Sequence, residues 1–538
     1  MFTASRLARH TRCFLPVLRS ASHQHGRTLA TNAAGEIDRD PATLRAIDDL
    51  PGLASGEQLM PYMLAEPANY HLALSKVWHD IGQPPIFKMP SLQTGLPVFH
   101  TADAEVCKHI MTNSKYVDRP STGFFEYCYK IITEGKGKHG GYQCARYMYF
   151  CPGFPHKKLT LSIITGIITR NGPDWEKHRR IANKAILHPK ATAQFVNYID
   201  TQARGVISRL RDQQVVDVNP VFSRYTFSVI MKVAFGELVS IDDDDSAAST
   251  EGRKLFDAVK AFSEVSGTLG FTSPPYEETD EMRALNRNLL DIRNFGLRLM
   301  DDRRSRAVRG EDLGFQDFAS GVFMLRDDNG EMLEAEQVIT DSLDLLLAGT
   351  ETTSATLAFT VHQLSHRPDI MQKAYDEVAP LMRAKGDVPL NDEDLGSLPY
   401  LTAILKETMR LYPVVPINGR QSTTEDVIGD VRIPQGMIVV LHFRDIHRSE
   451  RYYDRSDEWV PERWTDRKTK PNSFAWLPFG AGARSCLGLR LAMAEARIAL
   501  AHLIYNFDFS SNQEEVGTAY KATLGPAGPV EIKFTARK

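Results

Sequence analysis

The sequence predicts a mainly α-helical protein with small β-sheets, folded as a single large domain behind a short leader. Three observations carry that expectation. After residue 36, apolar residues recur three and four apart through most of the chain, the period of amphipathic helices. Short islands such as PVFHT, DVRIP and MIVVLHF sit beside turn residues and read as strands. No internal repeat and no long Pro/Gly/Ser linker divides the 538 residues, so length alone does not argue for several domains.

Composition narrows the function classes. With 64 basic and 67 acidic residues the net charge is −3, which excludes a strongly basic nucleic-acid binder. Hydrophobic residues at 42% and charged residues at 24% belong to a globular chain rather than a disordered one. The six cysteines (Cys13, Cys107, Cys128, Cys144, Cys151, Cys486) are too few for a disulfide scaffold and lack paired zinc-site spacing. The absence of any Asn-x-Ser/Thr acceptor weighs against a secreted life.

Residues 1–35 contain Arg6, Arg9, Arg12, Arg19 and Arg27, several Ser and Thr, and no acid before Glu36. That composition is expected of a mitochondrial transit peptide, with Leu7, Phe14, Leu15, Val17 and Leu18 able to share a helix face. The plainer alternative is a disordered basic tail. A secretory signal is excluded, because FLPVL is too short and carries a proline. No run of about 18 apolar residues reads as a membrane span. The expected division is therefore a leader over 1–35 and one domain over 36–538.

Within that domain, ADAEVCKHIM, AQFVNYIDTQARGVISRLRD, RKLFDAVKAFSEV and EMRALNRNLLDIRNFGLRLMDDRRSR read as helices. Asp242 to Asp245 read as a solvated loop. The stretch 131–165, rich in Tyr, Gly, Lys and Cys, differs from its flanks, as an inserted loop or a gene-model error would. Inside it, Gly135, Gly137 and Gly140 spell a dinucleotide-binding G-x-G-x-x-G. That reading is rejected, because no acid follows before Asp174 to hold a ribose.

Near the C-terminus, Phe479, Gly480, Gly482, Arg484, Cys486 and Gly488 form F-G-x-G-x-R-x-C-x-G. Chance would supply that pattern on the order of 10⁻⁶ to 10⁻⁵ times in such a chain. Glycines permit positive φ and a close backbone approach to a flat ligand. The following LGLRLAMAEARIALAHLI reads as an amphipathic helix, so Cys486 stands at a helix N-terminus, where dipole and free N–H groups favour a thiolate. Arg484 suits an anionic group such as a haem propionate. The alternative is an inert cysteine in a glycine-rich turn.

These residues resemble the cytochrome P-450 family of haem-thiolate monooxygenases, and the likeness runs in order along nearly the whole chain after the leader. The resemblance implies the cytochrome P-450 fold, haem b (iron protoporphyrin IX) as cofactor, and Cys486 as its axial iron ligand, a thiolate favouring O–O cleavage. Phe479 and Arg484 belong to the same haem-binding motif. Ala348-Gly349-Thr350-Glu351-Thr352-Thr353 matches the family's oxygen-activation motif, with Glu351 and Thr352 as the catalytic proton-relaying pair and a local helix opening near Gly349. The plainer alternative there is hydroxyls bonding back to helix carbonyls. Glu407 and Arg410 match E-x-x-R, completed by Arg463 in VPERW as a buried structural network. Trp175 and Arg179 match W-x-x-x-R, and with Arg420 they are implied to reach the haem propionates.

The leader, together with Lys406 and Arg490, matches the mitochondrial class of the family, whose members present these basic positions to an acidic ferredoxin. Thr402 and Leu489 depart from the basic residues usual in that class. The resemblance implies oxygen insertion into a lipophilic, sterol-like substrate, with electrons from NADPH through a ferredoxin reductase and an adrenodoxin-type ferredoxin. It places the chain in mitochondria, peripherally on the matrix side of the inner membrane. Two other readings stand beside this one. A haem-thiolate isomerase or dehydratase needs no dioxygen and tends to lose the acid–alcohol pair, intact here as Glu351 and Thr352. A haem sensor or carrier needs no proton relay. By position, the pocket is expected to be lined by Leu345, Leu346, Val414, Val415, Ile417, Thr523 and Leu524, with 267–290 as a lid and membrane contact.

Overall fold

The longest helix, Ala335–Ser365, is the element on which the site is assembled. It packs against helices Val218–Phe235, Pro399–Leu411 and Leu489–Asn506 and against the strand Leu524–Pro526. The structure is a computed structural model and describes residues 44–537 except 67, 92–94, 121–165, 187–188, 211–214, 237–246, 270–278, 312–316, 326–329, 331–332 and 467–471. The expected leader, the 131–165 stretch with its glycine run, and Asp242 to Asp245 lie outside the described residues. So do residues 270–278 of the expected lid, between helices Ala247–Leu269 and Asp280–Val308.

Helices dominate, and the unit over residues 45–538 contains four small sheets among the described residues. Helix ends follow their local chemistry. Asp103 Oδ1 accepts from the N–H groups of Glu105 and Val106 at 2.9 and 3.0 Å, starting Ala104–Thr112. Pro399 opens the helix Pro399–Leu411, and its next two N–H groups are capped by Glu377 at 2.8 Å each.

The largest sheet runs in the order Ile86–Pro90, Pro97–Thr101, Ile438–Leu441, Asn418–Gln421. Its register matters for one side chain. Arg420 pairs with Val439 in an antiparallel ladder, which puts the guanidinium on the buried face. A slip of one residue would turn it to the opposite face. The expected strands PVFHT, DVRIP and MIVVLHF are all present, as Pro97–Thr101, Val431–Ile433 and Ile438–Leu441.

Beneath these elements lies the ion pair of Glu407 and Arg410, both wholly buried. It is a forked pair: Arg410 donates from Nε to Oε2 at 2.9 Å and from Nη2 to Oε1 at 2.8 Å. The remaining carboxylate lone pairs accept from Val460 N–H (2.8 Å), Arg463 Nε (3.0 Å) and Trp464 Nε1 (2.9 Å). Arg410 also donates to the carbonyls of His447 and Glu458 at 2.8 Å each, and to that of Ser456. The expected three-residue network is therefore present and larger than the motif shows. Removing one charge from such a pair leaves the other buried without compensation. Glu407→Gln is expected to destabilise the fold by about 3–5 kcal/mol. Thermal or denaturant unfolding checks this, and a variant within about 1 kcal/mol of the parent would refute it.

Candidate active site

Cys486 lies two residues before Gly488, the residue that caps the helix Leu489–Asn506. The loop that delivers it turns through Gly480 (φ +64°) and Gly482 (φ +67°), conformations that strain a residue bearing a side chain. At Gly482 the constraint is also steric, since a Cβ there would stand 1.8 Å from the Met111 carbonyl oxygen. The loop closes when Cys486 N–H donates to the Phe479 carbonyl at 2.8 Å. Water reaches Cys486, yet protein surrounds the sulfur closely enough that burial pushes its pKa up. Both statements hold for a sulfur that water touches on one side and protein surrounds on the others. The N–H groups of Gly488 and Leu489 and the charges of Arg179 and Arg119 pull the pKa the other way without overcoming burial, so they offset part of what a thiolate costs at this position.

Four arginines converge beside this loop. Arg484 is buried, with its guanidinium carbon 3.8 Å from the centre of the Trp175 ring. It donates to the carbonyls of Val117 (2.7 Å), Ile167 (3.5 Å) and Arg170 (2.6 Å) and to Asn171 Oδ1 (3.0 Å). Most of its capacity thus ties the cysteine loop to residues 117 and 167–171. Arg179 Nη2 donates to the Ser485 carbonyl at 2.8 Å, while its Nε is buried without a hydrogen-bond partner. Arg420 bonds Asn418 Oδ1 and the Gly419 carbonyl through Nη1, and its Nη2 is likewise buried and unsatisfied. Burial lowers the proton affinity of Arg179, and burial with repulsion from neighbouring arginines lowers that of Arg484 and Arg420. Arg484 is pushed down to about 8 by burial, then by Arg119 and Arg420, and Arg420 to about 9 by burial, then by Arg119. Arg119 was missed in the sequence, where nothing but a basic residue before a proline marks it.

On the central helix, Ala348 is exposed although Leu345 and Leu346 just before it are buried, so interior space reaches the backbone there. Gly349 is required by packing, because a Cβ would meet Ile230 side-chain atoms at 2.6 and 2.7 Å. The hydroxyl of Thr226 donates to the Thr350 carbonyl at 2.7 Å, so the helix Val218–Phe235 approaches where the glycine admits it. Thr352 Oγ1 donates to the Ala348 carbonyl at 2.7 Å, the back-bonding arrangement weighed from sequence. Burial raises the pKa of Glu351, Lys260 and Lys521 lower it, and Glu264 raises it, while Oε1 has no hydrogen-bond partner. Glu495, another buried acid whose pKa burial raises strongly, bonds Thr353 and so joins the helix after the cysteine to the central one.

The expected pocket segments meet. Leu524 N–H donates to the Val414 carbonyl at 2.8 Å, and a Cβ on Gly525 would lie 3.9 Å from that of Ala355 on the central helix. Val414, Val415, Ile417 and Thr523 are half-buried. Sequence reasoning also missed His447. Its Nε2 accepts from Leu477 N–H at 2.8 Å and its carbonyl from Arg410, coupling the buried ion pair to the chain entering the cysteine loop. Burial, and then the Arg410 charge, push its pKa down to about 3, so it serves as a neutral acceptor. Lys406 is half-buried between two indoles, whereas Arg490 is exposed.

Comparison with known proteins agrees with this geometry. The family described as Cytochrome P450 matches residues 150–534. Among curated proteins, "Cytochrome P450 CYP12A2" of Musca domestica is 27% identical over 421 residues, covering 71% of this chain and 74% of the relative. "25-hydroxyvitamin D-1 alpha hydroxylase, mitochondrial" of Rattus norvegicus is 28% identical over 387 residues, 69% of this chain and 77% of the relative. "Cytochrome P450 11B2, mitochondrial" of Mus musculus is 27% identical over 405 residues, 72% of this chain and 78% of the relative.

Proposed function

The chain belongs to the cytochrome P450 family and aligns with its mitochondrial class, and from that premise we propose that it hydroxylates a lipophilic, sterol- or steroid-like molecule in mitochondria. Its electrons would come from NADPH through a ferredoxin reductase and an adrenodoxin-type ferredoxin. One observation carries the monooxygenase reading: a glycine-turned loop delivers Cys486 to the start of a helix, beside arginines whose buried Arg179 Nε and Arg420 Nη2 donors have no partner.

The family takes haem b, and the residues present fit it. The unsatisfied buried donors Arg179 Nε and Arg420 Nη2, in a cluster whose charges repel one another, require an anion such as a propionate. Cys486 would ligate the iron, and Trp175, Arg179, Arg420 and Arg484 would hold the propionate side, with Phe479 closing the cysteine loop. When bound, haem supplies the iron that activates dioxygen for insertion of one oxygen atom into a C–H bond.

The chain's own residues supply protons and exclude water. Glu351 holds a proton more readily than an ordinary carboxylic acid, because burial disfavours its charge. Thr352 donates its hydroxyl to the Ala348 carbonyl and keeps its Oγ1 lone pairs available to accept, so rotation about the Cβ–Oγ1 bond can re-aim the proton held at Oγ1. The retained acid–alcohol pair supports the oxygen-using reaction over an isomerase or dehydratase. The apolar side chains of Val414, Val415, Ile417 and Leu524 suit a lipophilic substrate, and the vitamin D hydroxylase relative acts on one.

The leader over 1–35 and the domain over 36–538 are part of the proposal, with residence on the matrix side of the inner membrane. Among the described residues no helix is long and apolar enough to cross a membrane, which suits peripheral attachment.

Three outcomes test this. Reduced protein with carbon monoxide should show the red-shifted Soret band of a thiolate haem, and Cys486→His should abolish it; an unchanged band would defeat the ligand assignment. Thr352→Ala should retain substrate binding but lower the coupling of NADPH use to product roughly ten-fold or more, with peroxide formed instead; unchanged coupling would count against the pair. N-terminal sequencing of protein recovered from mitochondria should begin beyond Arg27, and an intact Met1 would refute the leader.

A further inference from the structure

The Lys406 ammonium lies 5.6 Å from the ring centroid of Trp464 and 5.6 Å from that of Trp476, within cation–π range of both. The two indoles meet edge to face at 5.6 Å and 61°. Neither ring is free to move away. Trp464 Nε1 donates to Glu407 Oε2 at 2.9 Å, and Trp476 Nε1 donates to the Lys406 carbonyl at 3.1 Å. Both are therefore pinned to the helix Pro399–Leu411 that carries the lysine.

Among the described residues no carboxylate shares this cation. Glu407 is committed to Arg410 and Arg463, and Glu462 to Lys373 and the Tyr400 hydroxyl, each at 2.8 Å. Among the described residues Lys406 makes no ion pair, and burial lowers its pKa. The clamp also adjoins the thiolate loop, since the Trp476 ring lies 6.3 Å from that of Phe479, whose carbonyl accepts from Cys486 N–H. A half-buried ammonium fixed by two rings and left without an anion suits a negatively charged surface brought to it.

We propose that Trp464 and Trp476 are positioning residues that hold the Lys406 ammonium as a preorganised anchor for the acidic ferredoxin, which rests on the ferredoxin reading above. A surface lysine loses rotamer freedom when it docks. The clamp has already removed much of that freedom, so its effect falls on partner affinity. Arg490 and Leu489, exposed at the start of the helix after the cysteine, would complete the same face.

The test uses the full haem-loaded chain and measures the ferredoxin concentration giving half-maximal reduction, at low and high ionic strength. Trp476→Leu is expected to raise that concentration about three- to ten-fold, with Trp476→Phe intermediate because a weaker π face remains. Lys406→Gln should give a similar rise that shrinks at high salt, and Lys406→Arg should largely restore affinity by stacking on the same rings. The double variant Lys406→Gln/Trp476→Leu should be no worse than Lys406→Gln alone, since the indole acts through the lysine. A normal carbon monoxide spectrum after chemical reduction shows that Trp476→Leu has kept its haem site, and the Phe variant serves where it has not. If Lys406→Gln weakens ferredoxin but the Trp476 variants do not, or the two effects add, the clamp is refuted and the ferredoxin reading stands. If neither Lys406→Gln nor Arg490→Gln alters ferredoxin affinity, the ferredoxin reading itself fails and the clamp with it.

Discussion

The rest of the structure depends on the Glu407–Arg410 pair having no water to fall back on. In a wholly buried site a lone carboxylate or guanidinium is far costlier than the pair, so every further lone pair and N–H must find a partner. Those partners define the shape around them. Val460, Arg463 and Trp464 are drawn to the carboxylate, and the carbonyls of His447, Ser456 and Glu458 to the guanidinium. One i, i+3 pair on a helix thereby fixes the irregular chain from 447 to 464, which has little regular structure of its own. His447 then passes the constraint to Leu477 and so to the cysteine loop, and Trp464 passes it to Lys406. Placement of Cys486 is thus a consequence of satisfying a buried charge nearly 80 residues earlier in the chain.

The opposite electrostatic situation holds on the other flank of that loop. There Arg119 lowers the proton affinity of Arg420, and Arg119, Arg420 and Arg179 lower that of Arg484, while carbonyl oxygens rather than carboxylates occupy most of the donors of Arg484. Carbonyl dipoles hold a guanidinium in place but do not cancel its charge. A dianionic ligand would, which makes cofactor binding favourable for the protein as well as for catalysis: anything that binds only the native state stabilises it. The two flanks therefore divide the work. The carboxylate network shapes the loop without help, while the arginine side is left charged for a ligand to complete.

Much of this was legible in the sequence, for reasons that differ by residue. The cysteine loop announces itself because Gly480 and Gly482 are required by φ, and Gly482 by contact with Met111, so the spacing is rigid. The helices were legible by period and the strands by their turns. What escaped is what depends on distant partners. Arg119 and His447 gain their roles from chain more than 300 and about 30 residues away respectively, at Arg420 and Leu477. Lys406 was read correctly as lying on the helix of Glu407, yet a linear pattern cannot show that Trp464 and Trp476 close on its ammonium. Gly349 illustrates the converse. Its motif was recognised, but its physical reason is the approach of Ile230 and Thr226 from a helix over 100 residues upstream.

That approach has a consequence for the acid beside it. A glycine at 349 lets the helix Val218–Phe235 lie close enough for Thr226 to donate to the Thr350 carbonyl, an oxygen that also belongs to the helix's own ladder. The central helix is thus held from outside at the residue preceding Glu351 and by Glu495 at Thr353, two residues after it. Between those supports, Glu351 meets Lys260 from the helix Ala247–Leu269 and Lys521 from the turn between Thr518–Tyr520 and Leu524–Pro526. Its proton affinity is accordingly set by three separate elements: burial by the helix that carries it, and cations from the two that cover it. An acid whose charge is disfavoured by burial holds its proton more readily than an ordinary carboxylic acid, and Glu351 keeps Oε1 without a partner, where Glu407 has both oxygens engaged.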